Sequence, residues 1–248
     1  MGDVEPRPLR LGKKQFPPEQ RLVMAIVNRT PDSFYRPGDT GATGAALDRV
    51  HAAVAEGADI LDVGGIPAKP GPEVTVAEEI RRVVPFVAAV RAAYPDLVIS
   101  VDTWRQEPAR AVCEAGADLL NDTWSGWDPL LANVAAEFDA GLVCSHVGTL
   151  TPRTRPFRPY FTDVMADVAD RVLGLAERAL KAGVDPARIV IDPAHDFGKN
   201  TWHSLELTRR LGARIFRAHD VKATRQALDM VAAIRGDLPP ARAVRGLA

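Results

Sequence analysis

Seven short apolar runs in this 248-residue chain each enclose, or end in, a polar side chain able to do chemistry. In chain order these are Asn28, Asp62, Asp102, Asn121 with Asp122, His146, Asp192, and Arg217 with His219. Buried strands seldom carry carboxylates unless a partner or a purpose holds them there. One such residue reads equally well as a capping or satisfied core group, but recurrence on most strands points to a concave polar site. Lys199 adds a cation seven residues after Asp192, in the run IDPAHDFGKN, with Gly198 before it at the start of a helix. A helix N-terminus, a lysine and the Arg217/His219 pair together suit an anion.

The histidines offer a rival arrangement, in which His146, His195 and His219 hold a metal with Asp192, as in barrel hydrolases. Against it, the first strand ends in Asn28 and lacks the His-x-His pair such sites need. The stretch PRTRPFRPYF places Arg153, Arg155 and Arg158 around Phe157. No second basic cluster supports a nucleic-acid surface, so it reads as a substrate-side or subunit-contact loop.

The elements that must position these groups alternate along the chain. Strand-length runs begin at Leu22, Asp59, Leu97, Asp118, Gly141, Arg188 and Arg214, and most are apolar on both faces, as buried parallel strands are. Between them, helical spacing is visible at residues 45–56, 76–93, 108–115, 164–182 and 201–211. Helices hand over to strands through Gly57-Ala58-Asp59, Gly116-Ala117-Asp118 and Gly212-Ala213-Arg214, with Gly183-Val184-Asp185 a looser copy. A glycine there stops a helix cheaply by taking the left-handed conformation. Repeated βα units mean a (β/α)8 TIM barrel or an open doubly wound sheet, and no GxGxxG follows the first strand to favour the latter. The reading is therefore a TIM barrel at residues 21–248 behind an N-terminal arm, loose or hairpin, at residues 1–20. The count is one βα unit short of eight.

Composition fits a globular protein, with 46% hydrophobic and 25% charged residues and a net charge of -1. The charge balance argues against a nucleic-acid or anionic-membrane binder. No apolar run has membrane-span length, and the N-terminus has no secretory-signal core. Cys113 and Cys144 lie in apolar segments and suggest no disulfide framework, so a cytoplasmic location is expected.

Taken together, the strings resemble one family. The run Asn28-Arg29-Thr30-Pro31-Asp32-Ser33-Phe34 resembles the N-x-TPDSF signature of dihydropteroate synthase. ILDVGG with Pro70-Gly71, ISVDT, AGADLLND, IDPAHDFGK and RAHDV follow in the family order, from Leu22 to Arg235. The resemblance implies a TIM barrel, usually a homodimer, that joins 6-hydroxymethyl-7,8-dihydropterin pyrophosphate to p-aminobenzoate and releases pyrophosphate in folate synthesis. It implies that Asp102, Asn121, Asp192 and Lys199 hold the pterin ring, whose alternating donors and acceptors match fixed carboxylates and an amide. Asn28 would ligate a Mg2+ ion, Arg217 and His219 would take phosphate oxygens, and Phe197 would border the p-aminobenzoate pocket. A methyltetrahydrofolate-binding methyltransferase domain is a more distant alternative and would need a corrinoid partner module.

The departures from the family pattern are concentrated in the loops. The family's Gly-Gly-Glu-Ser-Thr-Arg-Pro-Gly is replaced by Gly64-Gly65-Ile66-Pro67-Ala68-Lys69-Pro70-Gly71, so Lys69 stands where a bidentate arginine would contact phosphate. The first loop carries Arg29 and Tyr35-Arg36-Pro37, and Ala194-His195-Asp196 precedes Phe197. The seventh strand with its Ser-Arg-Lys motif is missing between Leu211 and Gly212. IVNRTPDSFY, NDTW, DPAHDFGKN and the VRGLA ending resemble a second, synthase-like actinobacterial paralogue regarded as lacking the synthase activity. The expectation is a surviving pterin pocket with impaired or absent turnover, against the alternative of a fully active synthase.

Overall fold

The computed structural model describes residues 7–29, 40–147, 151–154, 161–195 and 197–239, with side chains omitted at 40–43. The TPDSF part of the first signature, Tyr35-Arg36-Pro37, Arg155, Phe157, Arg158, Asp196 and the VRGLA ending lie outside the described residues.

A hairpin of β1 (Leu9–Leu11) and β2 (Lys14–Phe16) precedes the barrel strand β3 (Leu22–Asn28). Helix and strand then alternate through α1 (Thr40–Ala55), β4 (Ile60–Gly64), α2 (Val76–Ala93), β5 (Val98–Asp102), α3 (Gln106–Glu114) and β6 (Leu119–Asp122). They continue through α4 (Leu131–Glu137), β7 (Gly141–Ser145), α5 (Val164–Ala182), β8 (Ile189–Asp192), α6 (Thr201–Leu211), β9 (Ile215–Ala218) and α7 (Val221–Arg235). The helices α4 and α7 are additional to those read from periodicity.

All seven barrel strands are parallel, in the order β8-β7-β6-β5-β4-β3-β9. The sheet curls as a barrel wall does, but β8 and β9 are its two edges and do not pair with each other. The chain passes directly from α6 into β9: the Gly212 N–H still caps α6 by donating to the Thr208 carbonyl, and the Arg214 carbonyl already accepts from Leu22 on β3. Among the described residues no strand lies between β8 and β9, and the segment joining α6 to β9 has no room for one, so the seam between these two edges is open.

The recurrent Gly-Ala-Asp turns have a shared physical role. Gly57, Gly116 and Gly183 have φ of 93°, 106° and 101°, which favours glycine after a helix. The Asp59 carboxylate accepts from the Val23 N–H (2.8 Å) and from Arg225, while the Asp118 carboxylate accepts from the Ile99 N–H (2.9 Å) and from Arg91. Each aspartate thus stitches its own strand entry to the neighbouring strand and to an outer helix. In the third copy Arg214 stands in the aspartate's place and donates instead to the Phe16 and Pro17 carbonyls of the hairpin.

Alternation along the strands divides the apolar residues into two layers. Outward residues such as Val23, Ala25, Leu61, Ile99 and Leu120 pack under the helices. Inward residues Leu22, Met24, Ile60, Val98, Leu119 and Val143 meet Leu9, Leu11 and Phe16 of the hairpin. The hairpin is therefore part of the barrel core and plugs its N-terminal end. Polar side chains are left to the other end of the same strands, where a TIM barrel carries its chemistry.

Candidate pterin site at the open barrel mouth

Register places the polar groups in tiers. Asn28 is opposite Gly64, Gly64 opposite Asp102, and Asp102 opposite Asn121, so these residues share one row. One tier lower, Asp62 is opposite Ile26 and Ser100. Lower still, Arg217 is opposite Met24 on the far side of β3. Asp192 pairs with Ser145 at the end of the edge strand β8.

Asp62 is the centre of the cluster and is completely buried. Its Oδ1 accepts from Ser100 Oγ at 2.6 Å, and Asn121 Nδ2 lies 3.2 Å from its Oδ2. Arg217 reaches up from its lower tier to donate from Nε to Asp62 Oδ2 at 2.7 Å, and its Nη2 lies 3.5 Å from Asp102 Oδ2. Asp102 also accepts from Thr123 Oγ1 at 2.9 Å. Burial pushes the Asp102 carboxyl up to about 7; Arg217 opposes the rise, and the negative charge of Asp62 adds to it. Burial would lower the Arg217 pKa, but the carboxylates of Asp62 and Asp102 outweigh it and hold the guanidinium firmly charged.

Of the residues expected to hold a pterin, Asp102 and Asn121 thus converge, and Asp192 contributes to the field on Arg217. Asp192 also fixes its own loop, accepting from the Ala194 N–H at 2.7 Å. Lys199 is placed differently from the expectation: its Nζ donates to the carbonyls of His146, Ala194 and Phe197 at 3.0, 2.9 and 3.1 Å. Those acceptors match the three N–H donors of an ammonium, so Lys199 ties the β7 and β8 exits together. Arg217 faces the carboxylates of the floor, whereas His219 is exposed at the rim, where its carbonyl accepts from Arg49.

Lys69 is exposed on the loop between β4 and α2. Arg153 sets the course of that loop, donating to the carbonyls of Pro67, Lys69 and Pro72. Phe197 packs edge-on against Trp124 (5.4 Å between centroids), and Trp124 against Trp104 (6.2 Å). With Ile66, Val74 and Val147 these rings form an apolar rim cluster. A cavity of about 660 Å³ lies to one side, walled by Trp104, Arg105, Trp127, Asp128 and Arg153 rather than by the carboxylate floor.

The histidine arrangement proposed for a metal hydrolase does not form. Completely buried His146 turns to Asp167 on α5 (2.7 Å), and His195 to Thr208 on α6 (3.1 Å). Among the described residues no group of three or more His, Cys, Asp or Glu side chains is placed to hold a metal ion. No helix among them is long and apolar enough to cross a membrane.

Sequence reasoning counted Asp62 among the polar residues of the strands but gave it no binding role. The signal available was parity: Asp62 and Ser100 lie two residues before Gly64 and Asp102, hence on the same inward face. Ser100 and Thr123 were missed because a hydroxyl carries no comparable signal in a strand or turn.

Comparison with known proteins agrees with this geometry. The family described as pterin binding enzyme matches residues 24–223. A Mycobacterium tuberculosis protein named inactive dihydropteroate synthase 2 is 50% identical over 279 aligned positions, covering 93% of this chain and 88% of the relative. Since 93% of 248 residues is about 231, about 48 aligned positions have no counterpart here, more than one βα unit of about 30 residues. The Mycobacterium leprae protein of the same name is 48% identical, covering 93% of this chain and 96% of the relative. Among solved structures, Xanthomonas albilineans dihydropteroate synthase with 4-aminobenzoic acid superposes with a TM-score of 0.82 at 29% identity, covering 94% of this chain and 99% of that one. The inward carboxylate–amide floor, the parallel curled sheet and these matches place the chain in the pterin binding enzyme family, in its dihydropteroate synthase branch.

Proposed function

We propose that this chain binds a pterin on the floor formed by Asp62, Asp102 and Asn121, with Asp192 beside it, and that it does not turn over efficiently as a dihydropteroate synthase. The observation that carries this reading is the unpaired β8–β9 seam. The floor that would hold the ring is present, but among the described residues no strand closes the wall between Asp192 and Arg217. Ground-state binding needs the floor; acceleration needs contacts that strengthen in the transition state. When pyrophosphate leaves the pterin methylene and the arylamine nitrogen bonds to it, a complete wall would hold the two reactants in line. Here one wall is open, and Lys69 offers a point charge where the family uses a bidentate guanidinium. The inactive paralogues named among the relatives support the same reading.

Magnesium fits the donor available at Asn28. A Cβ on Gly64 would lie 3.0 Å from Asn28 Oδ1, so the glycine keeps the space beside that oxygen clear. Magnesium commonly takes one or two protein oxygens and completes its shell with water and phosphate. Asn28 would hold the ion, which supplies charge neutralisation to a leaving pyrophosphate. His219 at the rim suits the distal phosphate, and Phe197 the edge of an arylamine.

Met230 and Ile234, four residues apart on α7, are 63% and 77% exposed and support assembly with a second copy. The deciding experiment measures calorimetric binding of 6-hydroxymethyl-7,8-dihydropterin pyrophosphate alongside magnesium-dependent dihydropteroate formation with p-aminobenzoate. Binding without turnover is expected. Turnover at the rate of an ordinary synthase would overturn the impairment, and absence of binding by folded protein would overturn the pterin pocket.

A further inference from the structure

We propose that Arg153 is a clasp: its guanidinium holds the β4–α2 loop in one conformation, and Lys69 reaches a phosphate only when that clasp opens. The second half of this inference rests on the phosphate role read for Lys69.

The loop does not order itself. Pro67, Pro70 and Pro72 have no N–H to donate. Among the described residues no backbone–backbone hydrogen bond is made within residues 66–74. Arginines on other elements donate to its carbonyls instead. At the ends, Arg82 on α2 donates to the Gly65 carbonyl (3.0 Å), and Arg105, braced by buried Glu79, donates to that of Val74 (2.8 Å). At the crest, Arg153 donates from Nε, Nη1 and Nη2 to the carbonyls of Pro67, Pro72 and Lys69 at 3.2, 2.5 and 3.4 Å. All three nitrogens of one cation go to a single loop, 81 to 86 residues earlier in the chain.

Two backbone features fit this role. A Cβ on Gly71 would lie 3.0 Å from Arg153 Nη2, so the glycine leaves the guanidinium room to enter the loop. Arg153 itself has a φ of 61°, a left-handed conformation that a non-glycine residue keeps only where its surroundings impose it. Here the three bonds across to the other loop supply that constraint.

Lys69 stands on the clasped crest, with its carbonyl among the acceptors and its side chain exposed. Arg153 is half-buried rather than sealed, so water can take over its bonds and the clasp can open without unfolding a strand. While it is closed, the loop cannot carry the Lys69 ammonium toward a ligand. The apparent affinity for a phosphate group is then reduced to the extent that the loop is held. Arg153 is in this sense a positioning residue that acts through Lys69.

Backbone amide relaxation at Ala68, Lys69, Gly71 and Glu73 tests the clasp without any ligand. Order parameters of about 0.85 are expected in wild type and below about 0.6 in Arg153→Met, with β4 and β5 unchanged. Arg153→Lys keeps the charge but offers one nitrogen to acceptors spread around a planar fork, so it is expected to resemble Arg153→Met. A flexible loop in wild type, or a rigid one in Arg153→Met, overturns the clasp. Should the variants fail to fold, the Arg153 Nε–H of wild type decides: slow exchange with water supports the clasp, and exchange at the rate of free arginine overturns it. Calorimetry with inorganic pyrophosphate and magnesium tests the restraint on Lys69. Binding about tenfold tighter to Arg153→Lys than to wild type is expected, corresponding to a clasp closed in about nine-tenths of wild-type molecules. Lys69→Ala in the same background should abolish that gain. Equal or weaker binding to Arg153→Lys, or a gain that survives Lys69→Ala, overturns the restraint. If no form binds pyrophosphate, the phosphate role of Lys69 falls and the clasp stands or falls on the relaxation result.

Discussion

Arg217 on β9 and Asp62 on β4 meet at 2.7 Å with the whole of β3 between them. The pair joins the last strand of the chain to one formed more than 150 residues earlier, on the side of the barrel where the wall is open. Removing one member of a fully buried ion pair costs about 3–5 kcal/mol. Arg217 is about a third exposed and can recover solvent, so Asp62→Ala is expected to cost less, about 1–3 kcal/mol. Denaturant unfolding of the two proteins checks this, with Asp62→Asn as the variant that keeps the volume. A shift near zero would mean that β9 is held without the pair.

Asp102 makes stability depend on pH in a direction opposite to that of an ordinary paired carboxylate. Burial pushes its carboxyl up to about 7, above the ordinary aspartate range, because burial outweighs Arg217 and Asp62 adds repulsion. The folded protein therefore holds that proton more tightly than the unfolded chain. The resulting stability is present below the unfolded pKa and is lost as pH rises through about 7. Measured against Asp102→Asn, wild type should lose stability as pH rises between about pH 4 and pH 7. Pterin binding should show the opposite trend, because the ionised carboxylate accepts N–H bonds. A flat wild-type-minus-variant difference across this range would remove Asp102 as the titrating group.

Lys199 gives a separate prediction because its three acceptors are backbone carbonyls from two strand exits. Lys199→Met keeps the aliphatic stem and removes the donors. The expected cost is about 1–3 kcal/mol, in the range for leaving partly buried acceptors without a partner. Pterin affinity of the folded variant should change less than threefold. A loss of pterin binding at unchanged stability would return Lys199 to the role implied by its place in the DPAHDFGKN string.

The boundary between what was readable and what was not follows the range of the interactions. Strands ending at Asn28, Asp102, Asn121 and Asp192 are legible because buried strands and glycine stops leave local marks. Their convergence follows from the parallel register. Arg217 is different: its place in the chain suggests a rim cation, but the pairing of β9 with β3 sets it a tier below Asp62 and aims its side chain at the floor. Lys199 bonds to carbonyls, and no residue type announces which carbonyl will be near. The hairpin was ambiguous for the same reason, since Leu9, Leu11 and Phe16 gain meaning only from the inward residues they cover.

The open seam leads to the last prediction. Ile191 on β8 is 46% exposed, and Trp202 and Leu205 near the start of α6 are 79% and 58% exposed. Apolar side chains at that exposure beside an unpaired strand edge are what removal of a neighbouring βα unit leaves behind. Inserting a βα unit of about 30 residues between Leu211 and Gly212 should pair β8 and β9 through a new strand and cover part of this surface. Trp124 and Trp104 are already buried, so any blue shift of tryptophan emission on insertion reports mainly Trp202, with Trp127 well away on the β6–α4 loop. The chimera should therefore show a blue shift, a higher melting temperature and weaker binding of a hydrophobic dye. An unchanged emission together with unchanged dye binding would mean that the seam of the native chain is already covered by a second copy, which sedimentation would reveal as a dimer.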